Sequence, residues 1–197
     1  MGLKFLKIHK NQDLERSLFK RDYEGTRQVY DDVVAGAEWV VQGEGVATVK
    51  IDGTSTLVQD GKLYKRYDAK KGKTPPDGFI PAQEPDSITG HWPGWVAVQD
   101  DNPADRWHNE AFADFDGADG TYELIGPKVQ GNPHNRPKHE LVKHGDWRFD
   151  DEPPRDFDGL KAWFETHVVE GVVWHRDNGD MVKIKRRDFG LKWPVKA

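Results

Sequence analysis

The sequence predicts an α+β domain of twisted, mainly antiparallel sheets with flanking helices, and three observations predict it. Short apolar-alternating runs of strand length recur along the chain, and two of them are closed by two-residue turn signals, Asp60-Gly61 and Asn178-Gly179. Helical patterning is confined to a few places, chiefly Leu160 to His167, where Leu160, Trp163, Phe164 and His167 mark one apolar face behind a capping Asp158. A chain of 197 residues is long enough for a sizeable core, and with no cysteine it builds that core without disulfides or thiolate metal sites.

Leu3 to Ile8 reads as a short strand or arm, Leu14 to Phe19 as a helical turn or two, and Glu38 to Val41 as a short strand. The bend Gly43-Glu44-Gly45 then delivers the chain into Val46-Ala47-Thr48-Val49-Lys50-Ile51-Asp52-Gly53-Thr54. With period 2, Ala47, Val49 and Ile51 face the core while Thr48, Lys50 and Asp52 face a cleft. An amine at the end of an apolar strand is poorly solvated, which favours its uncharged, nucleophilic form.

Thr54 to Val58 and Lys62 to Asp68 form the hairpin around Asp60-Gly61; parity alone does not decide whether Lys65 or Arg66 faces the cleft. Lys70 to Pro76 is a basic, proline-ended loop, and Trp92 and Trp95 flank a Pro-Gly turn before a strand over Val96 to Val98. Residues 100–119 are acidic and solvated. Thr121-Tyr122-Glu123-Leu124-Ile125-Gly126-Pro127 is a strand, and Glu123 inside it requires an ion pair, a metal or a bound ligand. His134, His139 and His144 are too widely spaced for a zinc site. In the last hairpin, a two-residue turn at Asn178-Gly179 pairs Trp174 with Lys183, Val172 with Lys185 and Glu170 with Arg187. That register puts Glu170, Lys183 and Lys185 on one face and Val173, Val182 and Ile184 on the other, an arrangement suited to a phosphate with a divalent ion.

The net charge is −5, which opposes general nucleic-acid affinity, but base is concentrated over Lys62 to Lys73 and in the last fifteen residues. No apolar run reaches the length of a membrane span, and Met1 to Lys7 lacks the apolar run of a signal peptide, so a soluble, cytoplasmic protein is expected.

Five blocks in order, Lys50-Ile51-Asp52-Gly53-Thr54, Lys65-Arg66, Tyr122-Glu123-Leu124-Ile125-Gly126, Glu170-Gly171-Val172-Val173 and Lys183-Ile184-Lys185, resemble the motifs of the covalent nucleotidyltransferases. That superfamily comprises ATP-dependent nucleic-acid ligases and messenger-RNA capping enzymes, and within it the chain looks most like the small RNA ligases. The resemblance implies a nucleotidyltransferase (adenylation) fold, ATP and Mg²⁺ or Mn²⁺ as cofactors, and RNA with 5′-phosphate and 3′-hydroxyl ends as partner. It implies that Lys50 forms a lysyl-AMP, that Lys183 and Lys185 grip the α-phosphate, and that Glu170, with Glu123, holds the metal. It further implies that Thr48, Val49, Asp52, Gly53, Arg66, Glu123 and Val173 line the nucleotide. Small RNA ligases often carry a glutamate where this chain has Val49, which leaves adenine recognition there to backbone groups. The aromatic that stacks on the base is assigned to Trp147, with Phe149 or Tyr122 as alternatives. About a dozen residues follow Lys185, so the expectation is a single monomeric domain, residues 1–197, without a C-terminal oligonucleotide-binding barrel. The rival readings are a DNA ligase or capping-type guanylyltransferase and, in another class, a module that binds a nucleotide or RNA end without turnover.

Overall fold

The computed structural model describes residues 16–86 and 90–195. The arm expected over Leu3 to Ile8, the signal-peptide comparison at Met1 to Lys7, and Leu14 and Glu15 lie outside the described residues. In order come β1 (Arg16–Ser17), β2 (Phe19–Arg21), β3 (Val29–Val33), α1 (Glu38–Val41), β4 (Val46–Lys50), β5 (Thr54–Gln59), β6 (Lys62–Ala69), β7 (Ile80–Pro81) and β8 (Trp92–Ala97). They are followed by α2 (Arg106–Phe112), β9 (Gly120–Ile125), β10 (Glu140–Lys143), α3 (Phe157–Thr166), β11 (Gly171–His175) and β12 (Met181–Lys185). All but one of the paired strands run antiparallel; β1 lies parallel to β12.

The described chain divides into two compact units. The split unit, residues 16–51 and 144–195, contains a sheet of order β1-β12-β11-β4 and the separate ribbon β2-β3. Its core is the apolar face of that sheet, Ala47, Val172, Trp174, Val182 and Ile184, packed with Trp39 and Val40 of α1 and Leu160 and Phe164 of α3. Truncating Ile184 to alanine in this core costs about 2–5 kcal/mol. The inserted unit, residues 52–143, contains a sheet of order β10-β9-β5-β6-β8-β7, with Val58, Leu63, Tyr122 and Leu124 on the face that also carries the core under α2.

Several local expectations change. Glu38–Val41 is a helical turn, because the Gly36 N–H and the Gln42 N–H are satisfied by the Glu38 carboxylate and carbonyl. Arg16 to Phe19 is extended, since Leu18 donates to the Lys183 carbonyl in the sheet. The cap of α3 is Asp156, whose carboxylate accepts from Gly159 N–H, and of the expected apolar face Leu160 and Phe164 are buried while His167 is exposed and stacks on Trp163. Pro93-Gly94 is not a turn but the middle of β8; Pro93 uses its carbonyl to pair with Ala82, and Trp95 is fully buried while Trp92 is half-buried.

The two hairpin signals behave differently. At Asp60-Gly61 both residues take positive φ, 52° and 68°, and Gln59 pairs with Lys62 as a two-residue turn requires. At Asn178-Gly179 only Gly179 does, at 87°. The Asn178 carboxamide oxygen accepts from the Asp180 N–H at 2.9 Å, and Arg176 pairs with Asp180 across a three-residue loop. One extra loop residue shifts the register: Trp174 lies opposite Val182, Val173 opposite Lys183 and Gly171 opposite Lys185, and Glu170 receives the Arg186 N–H on its carbonyl. Val173 therefore shares the face of Lys183 and Lys185, and Val172 takes its place in the core.

Candidate active site

The alternation expected for β4 holds from Ala47 to Lys50, and pairing with β11 turns it into a pattern across three strands. Lys50, Gly171 and Lys185 form one row of the sheet; Thr48, Val173 and Lys183 form the next; Val46, His175 and Met181 the third. All lie on the face opposite the apolar core. The Lys50 row is the chemically distinctive one. Gly171 adds no side chain between the two lysines, and a Cβ there would collide with the Ile184 carbonyl oxygen of the neighbouring strand.

Glu170 fills the space above that glycine. It precedes β11 and is 7% exposed, with one carboxylate oxygen 3.1 Å from Lys50 Nζ and the other 3.3 Å from Lys185 Nζ. Lys50 itself is 3% exposed, so its amine is among the few buried charges of the split unit. One carboxylate thus holds two ammonium groups that converge from different strands, 120 residues apart in the Lys50 case. The Lys185 backbone is fixed from behind, its N–H donating to Asp188, whose other oxygen receives Arg21. Replacing Glu170's contribution by phosphate oxygens would satisfy the same two donors.

In the neighbouring row the Thr48 hydroxyl, also buried, lies 2.9 Å from His175 Nε2 and 3.3 Å from the Val173 carbonyl, to which it donates. Burial, with His144 and Arg148 adding positive charge, pushes the His175 pKa down to about 4, so its ring is neutral at physiological pH. Arg148 bridges to Thr48 on the outer edge of β4, and the Trp147 carbonyl accepts the Val49 N–H at 2.8 Å. The Val49 N–H is therefore already engaged. His175 and Arg148 were not anticipated from the sequence: each reaches this face only through strand register.

The remaining expected residues belong to the inserted unit. Glu123 is 4% exposed on β9, which is a central strand, and its Oε1 accepts the Gly53 N–H at 3.0 Å. Gly53 is required there, since a Cβ would meet the Leu124 carbonyl oxygen, and its own carbonyl takes Gln130. The Asp52 N–H donates to His134 Nε2 at 3.0 Å. Register answers the question left open at Lys65-Arg66. Lys65 shares a face with Thr56 and pairs with buried Asp105, whereas Arg66 lies on the face of Ser55 and Glu123, opposite Trp95. Arg66 contacts Asp68 through Nε and Nη2, while its buried Nη1 has no hydrogen-bond partner.

Thus within the split unit Lys50, Glu170 and Lys185 meet directly with Thr48, Val173 and Lys183 in the adjoining row, and within the inserted unit Glu123 accepts from Gly53. Of the base concentrated in the last fifteen residues, Arg186 and Arg187 are engaged, donating to the carbonyls of Lys192, His167 and Trp193. Among the described residues no three His, Asp or Glu side chains gather as a metal cage, His134, His139 and His144 included.

Residues 111–197 match the family model described as RNA ligase 1. That stretch holds Glu123, Trp147, Glu170, Val173, Lys183 and Lys185, and begins after Lys50. Among curated proteins, RNA ligase 1 of Danio rerio is 34% identical over 54% of this chain and 43% of its own length. RNA ligase 1 of Pongo abelii is 29% identical over 62% of the chain and 50% of its own, and that of Rattus norvegicus 28% over 76% and 69%. The chain spans about half the length of the first two of these relatives.

Proposed function

We propose that this chain, a member of the RNA ligase family, joins RNA 5′-phosphate and 3′-hydroxyl ends at the expense of ATP, with Lys50 as nucleophile of a nucleotidyltransferase fold. The observation that carries this is the buried Lys50 amine in a row with Lys185, both held by Glu170. In the first step Lys50 Nζ, relieved of its proton with Glu170 Oε2 as nearest acceptor, attacks the α-phosphorus of ATP. The N–P bond forms and the bond to pyrophosphate breaks. Lys185 and Lys183 offset the charge on the α-phosphate oxygens. An oxygen of the RNA 5′-phosphate then attacks the same phosphorus and Lys50 leaves, so that AMP caps the RNA through a 5′–5′ pyrophosphate. Finally the RNA 3′-hydroxyl attacks the 5′-phosphate and AMP departs, closing the phosphodiester.

By the motif resemblance, Thr48, Val49, Asp52, Gly53, Arg66, Glu123, Trp147 and Val173 serve the nucleotide. The orphaned Arg66 Nη1 supports a ligand acceptor at that residue. By the same resemblance, Glu170 and Glu123 would supply oxygen ligands to Mg²⁺ or Mn²⁺, hard ions that take carboxylate, phosphate and water oxygens. Such an ion supplies charge neutralisation at the phosphates.

The test is intact-mass measurement after incubation with ATP, GTP or NAD⁺. A gain of one adenylyl group from ATP, absent in Lys50→Ala, followed by sealing of nicked RNA, is expected. ATP binding without any mass gain overturns the reading in favour of a binding module, and a guanylyl gain in favour of a capping-type enzyme.

A further inference from the structure

Lys62 at the start of β6 apart, the base between Lys62 and Lys73 divides into two sets. Lys65 is paired with Asp105 and Arg66 with Asp68. Lys70, Lys71 and Lys73 are exposed in the turn after β6, and none of the three is in an ion pair with a described residue. Asp68, the nearest acid in sequence, is taken up by Arg66 and by His91 at 3.4 Å. Three ammonium groups that make no ion pair with a described residue thus sit within four residues of a chain whose net charge is −5.

An aromatic trio lies against that turn. Ala69, the last residue of β6, pairs with Trp92, and Tyr67 pairs with Gly94, so Tyr67 and Trp92 share one face of the sheet. Gly94 leaves the room that the Phe79 ring occupies. Phe79 stands edge-on to Tyr67 at 5.9 Å and to Trp92 at 5.2 Å, and Trp92 is fixed by its indole N–H on the Gln83 carbonyl at 2.8 Å. All three rings are half-buried. The Lys71 stem lies so near Gly90 that a Cβ there would be 2.7 Å from Lys71 Cγ. Trp92 follows two residues later.

We propose that Lys70, Lys71 and Lys73 with Trp92, supported by Phe79 and Tyr67, form a docking surface for single-stranded RNA. Point charges on mobile stems track a phosphate backbone without demanding sequence, and a fixed, partly exposed indole offers a face to an unpaired base. A duplex, whose bases are already stacked, would use the lysines alone. The proposal rests on the ligase reading and adds to it where the polynucleotide is held.

The test measures fluorescence anisotropy of a labelled, 5′-phosphorylated single-stranded oligoribonucleotide across a salt series. For Lys70→Gln/Lys71→Gln/Lys73→Gln we expect binding weakened about tenfold or more and the slope of log K against log salt reduced by about 2, at roughly 0.7 per single-strand phosphate contact. Trp92→Leu is expected to lose about fivefold or more, whereas Trp92→Phe, which keeps a ring, retains most of the affinity. Parent-like affinity and salt slope in the triple variant overturn the proposal. So does an unchanged Trp92→Leu when polyglutamate competes as well as RNA, the result expected of a surface for an acidic protein. Autoadenylylation of the parent is read separately: its absence refutes the ligase chemistry, while the anisotropy comparison still decides the docking surface.

Discussion

Replacing Glu170 by glutamine removes the one carboxylate that Lys50 and Lys185 share. At an effective dielectric of about 20, the gross attraction at the 3.1 Å of the Lys50 pair is about 5 kcal/mol. Desolvation offsets much of it, and the Lys185 contact is discounted because that side chain is 30% exposed. What remains is the cost of removing the Glu170 charge from beside the 4%-exposed Lys50 side chain, about 3 kcal/mol at the lower end of the range for breaking buried pairs. With a urea slope of about 2 kcal/mol per molar, the unfolding midpoint falls by about 1.5 M. The assay is urea unfolding followed by tryptophan fluorescence for the parent, Glu170→Gln, Lys50→Met and the double variant. Once Lys50 is gone the second substitution has little left to break, so the cycle should show about 2 kcal/mol of coupling. Effects that add within about 0.5 kcal/mol would refute the shared-carboxylate geometry.

Two further outcomes follow from the same face of the sheet. Gly171→Ala sets a methyl against the Ile184 carbonyl, and overpacking of about 1–3 kcal/mol, together with a loss of adenylyl mass gain, is expected because Lys50 and Lys185 flank that residue. His175 has its pKa lowered to about 4 from 6.5, so between those values the unfolded chain binds a proton that the native one refuses. Stability then rises with pH across that window and is lost as pH falls through it, by up to about 3 kcal/mol. Urea titrations at pH 7.5 and 4.5 should show His175→Gln losing less than the parent, and equal acid sensitivity would count against the burial of that ring.

Much of this protein was legible in the residues themselves. The alternation through Ala47, Thr48, Val49 and Lys50 separated the core face from the lysine face, because strand period is a local property of the backbone. The Asp60-Gly61 turn and the buried positions Leu160 and Phe164 of α3 were equally local, while His167, expected on the same face, is exposed; the order of the motif blocks needed no coordinates. What the tertiary structure decided was parity and partnership. Asn178 was free to use its side chain on Asp180 instead of entering the left-handed region, and that one hydrogen bond moved every residue of β11 by one place against β12. Val173 came to the lysine face and Val172 went to the core as a result. Likewise nothing near Lys50 in sequence says that Glu170 will hold it, nor that Arg186 and Arg187 will be engaged by carbonyls while Lys70, Lys71 and Lys73 make no ion pair with a described residue. Ion pairs join groups that only long-range strand pairing brings within reach, so charge counted along a chain does not give the charge a ligand meets.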